Sequence, residues 1–175
     1  MFPLFSDLIF TQRLQLRSLE DRDLPAAQML FTHPQVSKTY MLPEFQSPDE
    51  VIRLFEKIRT LSLDKSRFVY GICLNDELIG LVNEVEKNEA EIELGYAIHP
   101  DFHNRGYATE MLSACIEELF AHGFTAVKAG AFMENGASQR VMEKCSMERT
   151  GETEEISYRG CNHTCVFYKI KRDSH

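Results

Sequence analysis

The segment from Ile92 to Glu110 constrains the chain most. Ile92, Leu94, Tyr96 and Ile98 alternate as a strand, His99–Arg105 form a turn, and a helix follows whose start carries Gly106 and Ala108. The spacing changes there from a period of two to a period of 3.6, with Ala108, Leu112, Cys115 and Leu119 on one face and Glu110, Ser113 and Glu117 on another. Gly123 then stops the helix. The first N–H groups of a helix have no partner inside it, and the peptide dipoles leave partial positive charge at that end. Gly106 lets an oxygen approach the backbone, Ala108 keeps the next exposed position small, and Arg105 adds a formal charge. The segment is therefore suited to hold an anion, although Gly106 also has a plainer reading as the residue that eases a tight strand-to-helix turn.

Two common phosphate loops are excluded. No Gly-Lys-Ser/Thr follows Gly106 to reach a terminal phosphate and magnesium, and no G-x-G-x-x-G is present for a dinucleotide.

The remaining pattern is mixed α/β. Residues 12–17 alternate as a strand, Asp21 or Asp23 opens a helix to about Phe31, and Ser47, Pro48 and Glu50 predict a helix start of the capping-box kind with Val51, Phe55 and Ile58 on its apolar face. Residues 68–73 and 78–84 flank Asn75-Asp76 as a hairpin, and 90–98 make the next strand. The long helix is expected from Asn104, a buried strand at 126–133, a short helix from Asn135, and a closing hairpin whose second strand is Cys165–Ile170. A strand, helix and parallel strand in this order predict a right-handed crossover. With 175 residues, 43% hydrophobic, and no linker or repeat, one domain over residues 1–175 is expected.

The net charge of −8 gives no basic stripe for nucleic acid, and a cationic substrate would be welcome. No apolar run is long enough to span a membrane, and the N-terminal MFPLFSDLIF lacks the marks of a secretion signal, so a cytoplasmic protein is expected. Five scattered cysteines do not make a disulfide framework. Cys161, His163 and Cys165 share a strand face, but same-face residues lie roughly 7 Å apart, so no metal site is expected.

His103, Asn104, Arg105, Gly106, Tyr107 and Ala108 resemble the [QR]-x-x-G-x-[GA] pyrophosphate loop of the GNAT acetyltransferases, with His103 where Gln or Arg is usual. Thr11–Arg17, His33–Val36, Glu93–Tyr96, Glu134–Lys144 and Gly160–Tyr168 are similar to successive segments of the branch that includes ribosomal-protein-alanine N-acetyltransferases, His33–Val36 matching the end of its first helix. The resemblance implies a GNAT-like single domain: a central twisted, mostly antiparallel sheet with helices on both faces and two splayed parallel strands, here about 90–98 and 126–133, that form the cofactor cleft. It also implies acetyl-CoA as cosubstrate, no metal, and an amine acceptor that is a protein N-terminus or a small molecule; homodimerisation is left open. The backbone of residues 103–108 would hold the pyrophosphate, the Ile98 amide would bond the thioester carbonyl, and Asn135 would reach the pantetheine arm as well as cap its helix.

Attack on a thioester requires a neutral amine, so a base is needed. Glu93 is the candidate, with a structural or substrate-binding hydrogen bond as its other reading; Glu91 points the same way along the strand, which leaves one of the two open to a reading as solvated decoration. Ser138, three residues after Asn135, could donate to the departing sulfur, with local capping as its plainer role. Two further departures from the family are present: Ser146 and Met147 replace the usual Gly-aromatic pair, so Ser146 would bear strain if its φ is positive, and Thr164 stands where the branch often has Asp. The leading expectation is an N-acetyltransferase acting by direct attack in a ternary complex. The alternative is a non-catalytic acyl-CoA-binding sensor.

Overall fold

The computed structural model describes residues 4–173; Met1–Pro3, the start of the N-terminal segment read above, and residues 174–175 lie outside them. The elements are β1 Ile9–Phe10, β2 Leu14–Arg17, α1 Leu24–Thr32, α2 Pro34–Ser37, α3 Pro48–Leu63, β3 Val69–Leu74, β4 Glu77–Lys87, β5 Glu91–Ile98, α4 Tyr107–Ala121, β6 Ala126–Phe132, α5 Gly136–Lys144, β7 Glu148–Tyr158 and β8 Cys161–Lys171. The architecture is mixed α/β, with strand order β1-β2-β3-β4-β5-β6-β8-β7 among the described residues. Strands β5 and β6 are parallel, whereas β1–β2, β2–β3, β3–β4, β6–β8 and β7–β8 are antiparallel. The chain divides into two compact units, Met1–Asn83 with Tyr96–Tyr107, and Glu84–Gly95 with Ala108–His175.

In the first unit, Leu30 and Phe31 of α1, Val36 of α2, and Val51 and Phe55 of α3 bury against Cys73, Leu78 and Leu81 of β3 and β4. Asn75 (φ 48°) and Asp76 (φ 67°) both adopt the left-handed conformation that a two-residue hairpin needs, and both residue types tolerate it. Asp23 stands at the cap position of α1, as expected, but its side chain makes no cap bond there. It ends a 3-10 turn over Asp21–Asp23, and its carboxylate accepts two bonds from buried Arg17, at 2.7 and 2.9 Å, and one from the Glu20 amide. Pro34 cannot continue α1, so the His33–Val36 segment begins a separate turn of helix instead of ending the first one. Ser47 precedes α3 as expected, but its hydroxyl makes no cap bond; the Glu50 carboxylate accepts from the Gln46 amide instead.

In the second unit, β6 and β8 pair from Ala126↔Lys171 to Phe132↔Cys165, and β7 closes the edge. The hairpin turn is Arg159 (φ 52°) and Gly160 (φ 77°), so β8 begins at Cys161, four residues earlier than the expected Cys165. Ser146 has φ 64°, the strained conformation anticipated for a serine at the family's glycine position. Helix α4 buries Met111, Leu112, Cys115, Ile116 and Leu119, and the Cys145 thiol after α5 donates to the Thr109 carbonyl at 3.5 Å. The parallel pair β5–β6 has a short ladder, from Glu91↔Ala126 to Leu94↔Ala129; beyond it Gly130–Phe132 remain paired to β8.

Candidate active site

In the first unit, the end of β5 is shaped by its pairing with β4. The His99 amide donates to the Ile79 carbonyl at 2.8 Å, so by strand alternation the N–H and C=O of Ile98 point to the side away from β4. The Ile98 carbonyl is met at 2.6 Å by Nε2 of His103. The imidazole at the departing position of the family motif therefore closes the turn onto the strand. Gly80 permits the close approach of β4 to the end of β5: a Cβ there would lie 2.3 Å from the Ala97 carbonyl oxygen.

The turn itself is a 3-10 segment, Pro100–Phe102, in which the His99 ring accepts from the Asp101 amide at 3.1 Å. Asn104 (φ 61°) and Gly106 (φ 82°) then adopt left-handed conformations with Arg105 between them. Those two residues delay the expected helix start from Asn104 to Tyr107, because αL residues cannot sit in a right-handed helix. Alternating conformations of this kind turn successive N–H groups toward one concave side. Residues 103–106 are exposed, and the N–H groups of the first turn from Tyr107 have no acceptor within the helix.

Arg13, from the turn before β2, is drawn to this loop. One guanidinium nitrogen donates to the Arg105 carbonyl at 3.0 Å, and the guanidinium carbon lies 4.4 Å from the centre of the Tyr107 ring. The other terminal nitrogen is 3.3 Å from where a Cβ on Gly106 would stand. A second cation thus joins Arg105 at the exposed bend.

In the second unit, Glu93 pairs across the sheet with Lys128. Burial raises the Glu93 carboxyl above the ordinary glutamate range; Lys128 opposes that shift, while Glu86, Glu154 and Glu152 add to it. Lys128 bonds Glu152 at 2.9 Å and lies 4.2 Å from the Phe167 ring centre, and Glu91 pairs with Lys169 at 2.7 Å. Glu91 is thus engaged in a different ion pair from the lysine that faces Glu93. After β6, Asn135 caps α5, its side-chain oxygen accepting from the Ser138 amide at 3.2 Å. Ser138 occupies the first turn of that helix. Of the Cys161, His163 and Cys165 group, His163 bonds Glu134 at 2.6 Å, while burial pushes the Cys165 thiol up to about 11.

The GNAT acetyltransferase domain model matches residues 13–148, more than half of the chain and the whole turn-and-helix segment. The chain belongs to the GNAT acetyltransferase family. It is similar to a protein described as the uncharacterised N-acetyltransferase YoaA of Bacillus subtilis strain 168, 29% identical over 163 residues that cover 90% of each chain. It is also similar to YnaD of the same organism, described in the same terms, at 31% identity over 82% of this chain and 84% of the relative. A solved structure of RimL, a ribosomal L7/L12 alpha-N-protein acetyltransferase, in complex with coenzyme A has a TM-score of 0.83 and covers 96% of this chain and 99% of its own. At 18% identity that likeness concerns the fold alone. GNAT membership makes the chain an acetyl-CoA-dependent N-acetyltransferase, and no helix among the described residues is long and apolar enough to cross a membrane.

The first unit thus brings together Ile98 and His103–Tyr107, and the second holds Glu93, Asn135 and Ser138 with Ala108 in the first turn of α4. Sequence reasoning missed Arg13, Glu134 and the bond of His103 to Ile98. Arg13 stood in plain view within TQRLQLR, but its partner is 92 residues away, and nothing in local spacing announces such a contact.

Proposed function

We propose that residues 1–175 act as one cytoplasmic acetyltransferase domain that moves the acetyl group of acetyl-CoA to a primary amine, a protein N-terminus or a small amine, by direct attack in a ternary complex. The observation that carries the reading is the exposed bend with left-handed Asn104 and Gly106 at the head of α4, flanked by Arg105 and Arg13. Amides presented in this way, with two guanidinium groups beside them, suit a diphosphate.

In this reading the backbone of residues 103–108 and Arg13 hold the cofactor phosphates. Asn135 and Ser138 bond the pantetheine end, and the Ile98 amide donates to the thioester carbonyl, where it meets the negative charge that develops on oxygen during attack. Glu93, held above the ordinary glutamate range by burial, takes the proton that an ammonium must lose before its nitrogen attacks. The carbon–sulfur bond then breaks with its electron pair on sulfur, where the dipole of α5 favours the thiolate. Hydrogen bonding from Ser138 adds to that effect.

Two measurements test the reading. Release of free thiol from acetyl-CoA should depend on an added amine across a panel of N-terminal peptides, polyamines and amino sugars, and no amine-dependent release would contradict it. Arg13→Ala should weaken CoA binding by roughly five- to twenty-fold, as expected for the loss of one charge-assisted contact; unchanged calorimetric affinity would remove Arg13 from the phosphate site.

A further inference from the structure

His163 of β8 stacks on Phe132, with ring centres 4.3 Å apart and planes 13° from parallel. Its Nδ1 lies 2.6 Å from Oε1 of Glu134. The β6–β8 ladder ends at Phe132↔Cys165, and the Met133 amide donates to the Thr164 carbonyl at 2.8 Å, so His163 stands just past the carboxyl end of β6. Glu134 immediately precedes Asn135, the cap of α5, and Gln139 of that helix donates to the carbonyls of Met133 at 2.9 Å and Asn135 at 3.3 Å. The short loop that carries Glu134 is thereby tied to the same helix start that holds Asn135 and Ser138.

This arrangement fixes an imidazole in both plane and tautomer. Phe132 sets the ring plane, and a carboxylate accepting from Nδ1–H leaves Nε2 as the atom that exchanges a proton. The proposed chemistry lacks such a group: Glu93 serves the amine, and a serine hydroxyl is too weak an acid to give a thiolate its proton near neutrality.

We propose that His163, oriented by Glu134, is the general acid that protonates the departing thiolate of coenzyme A. The inference rests on the cofactor reading above. As the tetrahedral carbon–sulfur bond breaks, its electron pair goes to sulfur, and sulfur takes the proton from Nε2 of the imidazolium. The carbonyl re-forms as the amide. The ring is left neutral with Nδ1–H toward Glu134 and regains its Nε2 proton from solvent, which also receives the protons shed by the amine. In sum, an ammonium and a thioester give an amide, a thiol and one proton. The titratable and charged groups on the sheet face around His163 are Glu134 from the loop after β6, Glu154, Tyr158 and Arg159 from β7 and its turn, and Cys161 and Cys165 from β8. A phenol and thiols are ordinarily neutral at pH 7.

The test needs no acceptor. The full chain with 15N-labelled histidine is titrated by NMR alone, with CoA, and with desulfo-CoA, which lacks only the sulfur. A sulfur that shares the Nε2 proton should move the His163 midpoint by about half a pH unit or more between the two complexes. Identical His163 titrations in the two complexes, both shown by calorimetry to be formed, would overturn the proposal. Failure of both ligands to bind would overturn the cofactor reading itself. With any amine that turns over, His163→Gln should lower kcat by about 10²-fold or more at unchanged CoA affinity and abolish the fall in rate at high pH. Retention of that limb would likewise count against the acid role.

Discussion

Glu93 shows how one residue links stability to chemistry. Its folded pKa is raised by burial first of all, so the native chain holds that proton more tightly than the unfolded chain does. The stability this contributes is complete below the ordinary glutamate value of about 4.3 and is lost as pH rises through the raised value. Glu93→Gln should therefore melt at a higher temperature than the parent at pH 7 and at nearly the same temperature near pH 3.5, about a unit below that reference value. Calorimetric scans at the two pH values check this, and an equal gain at both would contradict the burial argument. The same variant should lower kcat by about 10²-fold or more while CoA affinity holds. Ser146, at φ 64°, gives the opposite kind of case, in which strain serves no proposed role. Ser146→Gly should raise stability by about 1 kcal/mol in denaturant melts, by relief of the left-handed penalty that serine bears. The sequence suggested that strain because serine stands where the resembled family usually has glycine, but only the backbone shows that Ser146 adopts the left-handed conformation.

At the scale of elements, the close approach of β4 to the end of β5 positions the Ile98 amide. A Cβ at Gly80 would come 2.3 Å from the Ala97 carbonyl oxygen and 3.1 Å from Ile98 Cα, so Gly80→Ala must push the strand end aside. Destabilisation of about 1–3 kcal/mol is expected, with kcat falling more than CoA affinity because in the proposed function the displaced amide serves the carbonyl and not the phosphates. Denaturant melts and steady-state kinetics measure both quantities; a variant with parental turnover would argue against the Ile98 role. The helix starts show where the sequence was legible and where it misled. Asn135 before α5 was readable because a cap is a local hydrogen bond, here to the Ser138 amide. The start of α4 was misread by three residues because the conformations of Asn104 and Gly106 leave no trace in hydrophobic spacing. The expected cap at Ser47 failed for another reason: Glu50 bonds Gln46 in preference, and composition cannot rank two such local bonds.

For the whole molecule, the alternation of strands and amphipathic helices was enough to foresee a mixed α/β chain with a parallel pair around the long helix. The short β5–β6 ladder was anticipated only through family resemblance, since strand pairing is a non-local property. The bend at residues 103–108 was readable because its residues are contiguous. The partners of His163 and Arg13 were not, because they lie 29 and 92 residues away in the chain. The central claim is that the exposed bend at residues 103–108 holds the diphosphate of coenzyme A. Titration calorimetry of CoA into the parent and Gly106→Val tests it most directly, because a branched side chain at φ 82° must both strain the bend and crowd Arg13. The account predicts at least a tenfold loss of affinity, about 1.4 kcal/mol, in a variant that still unfolds cooperatively; equal affinity in the two proteins would contradict it.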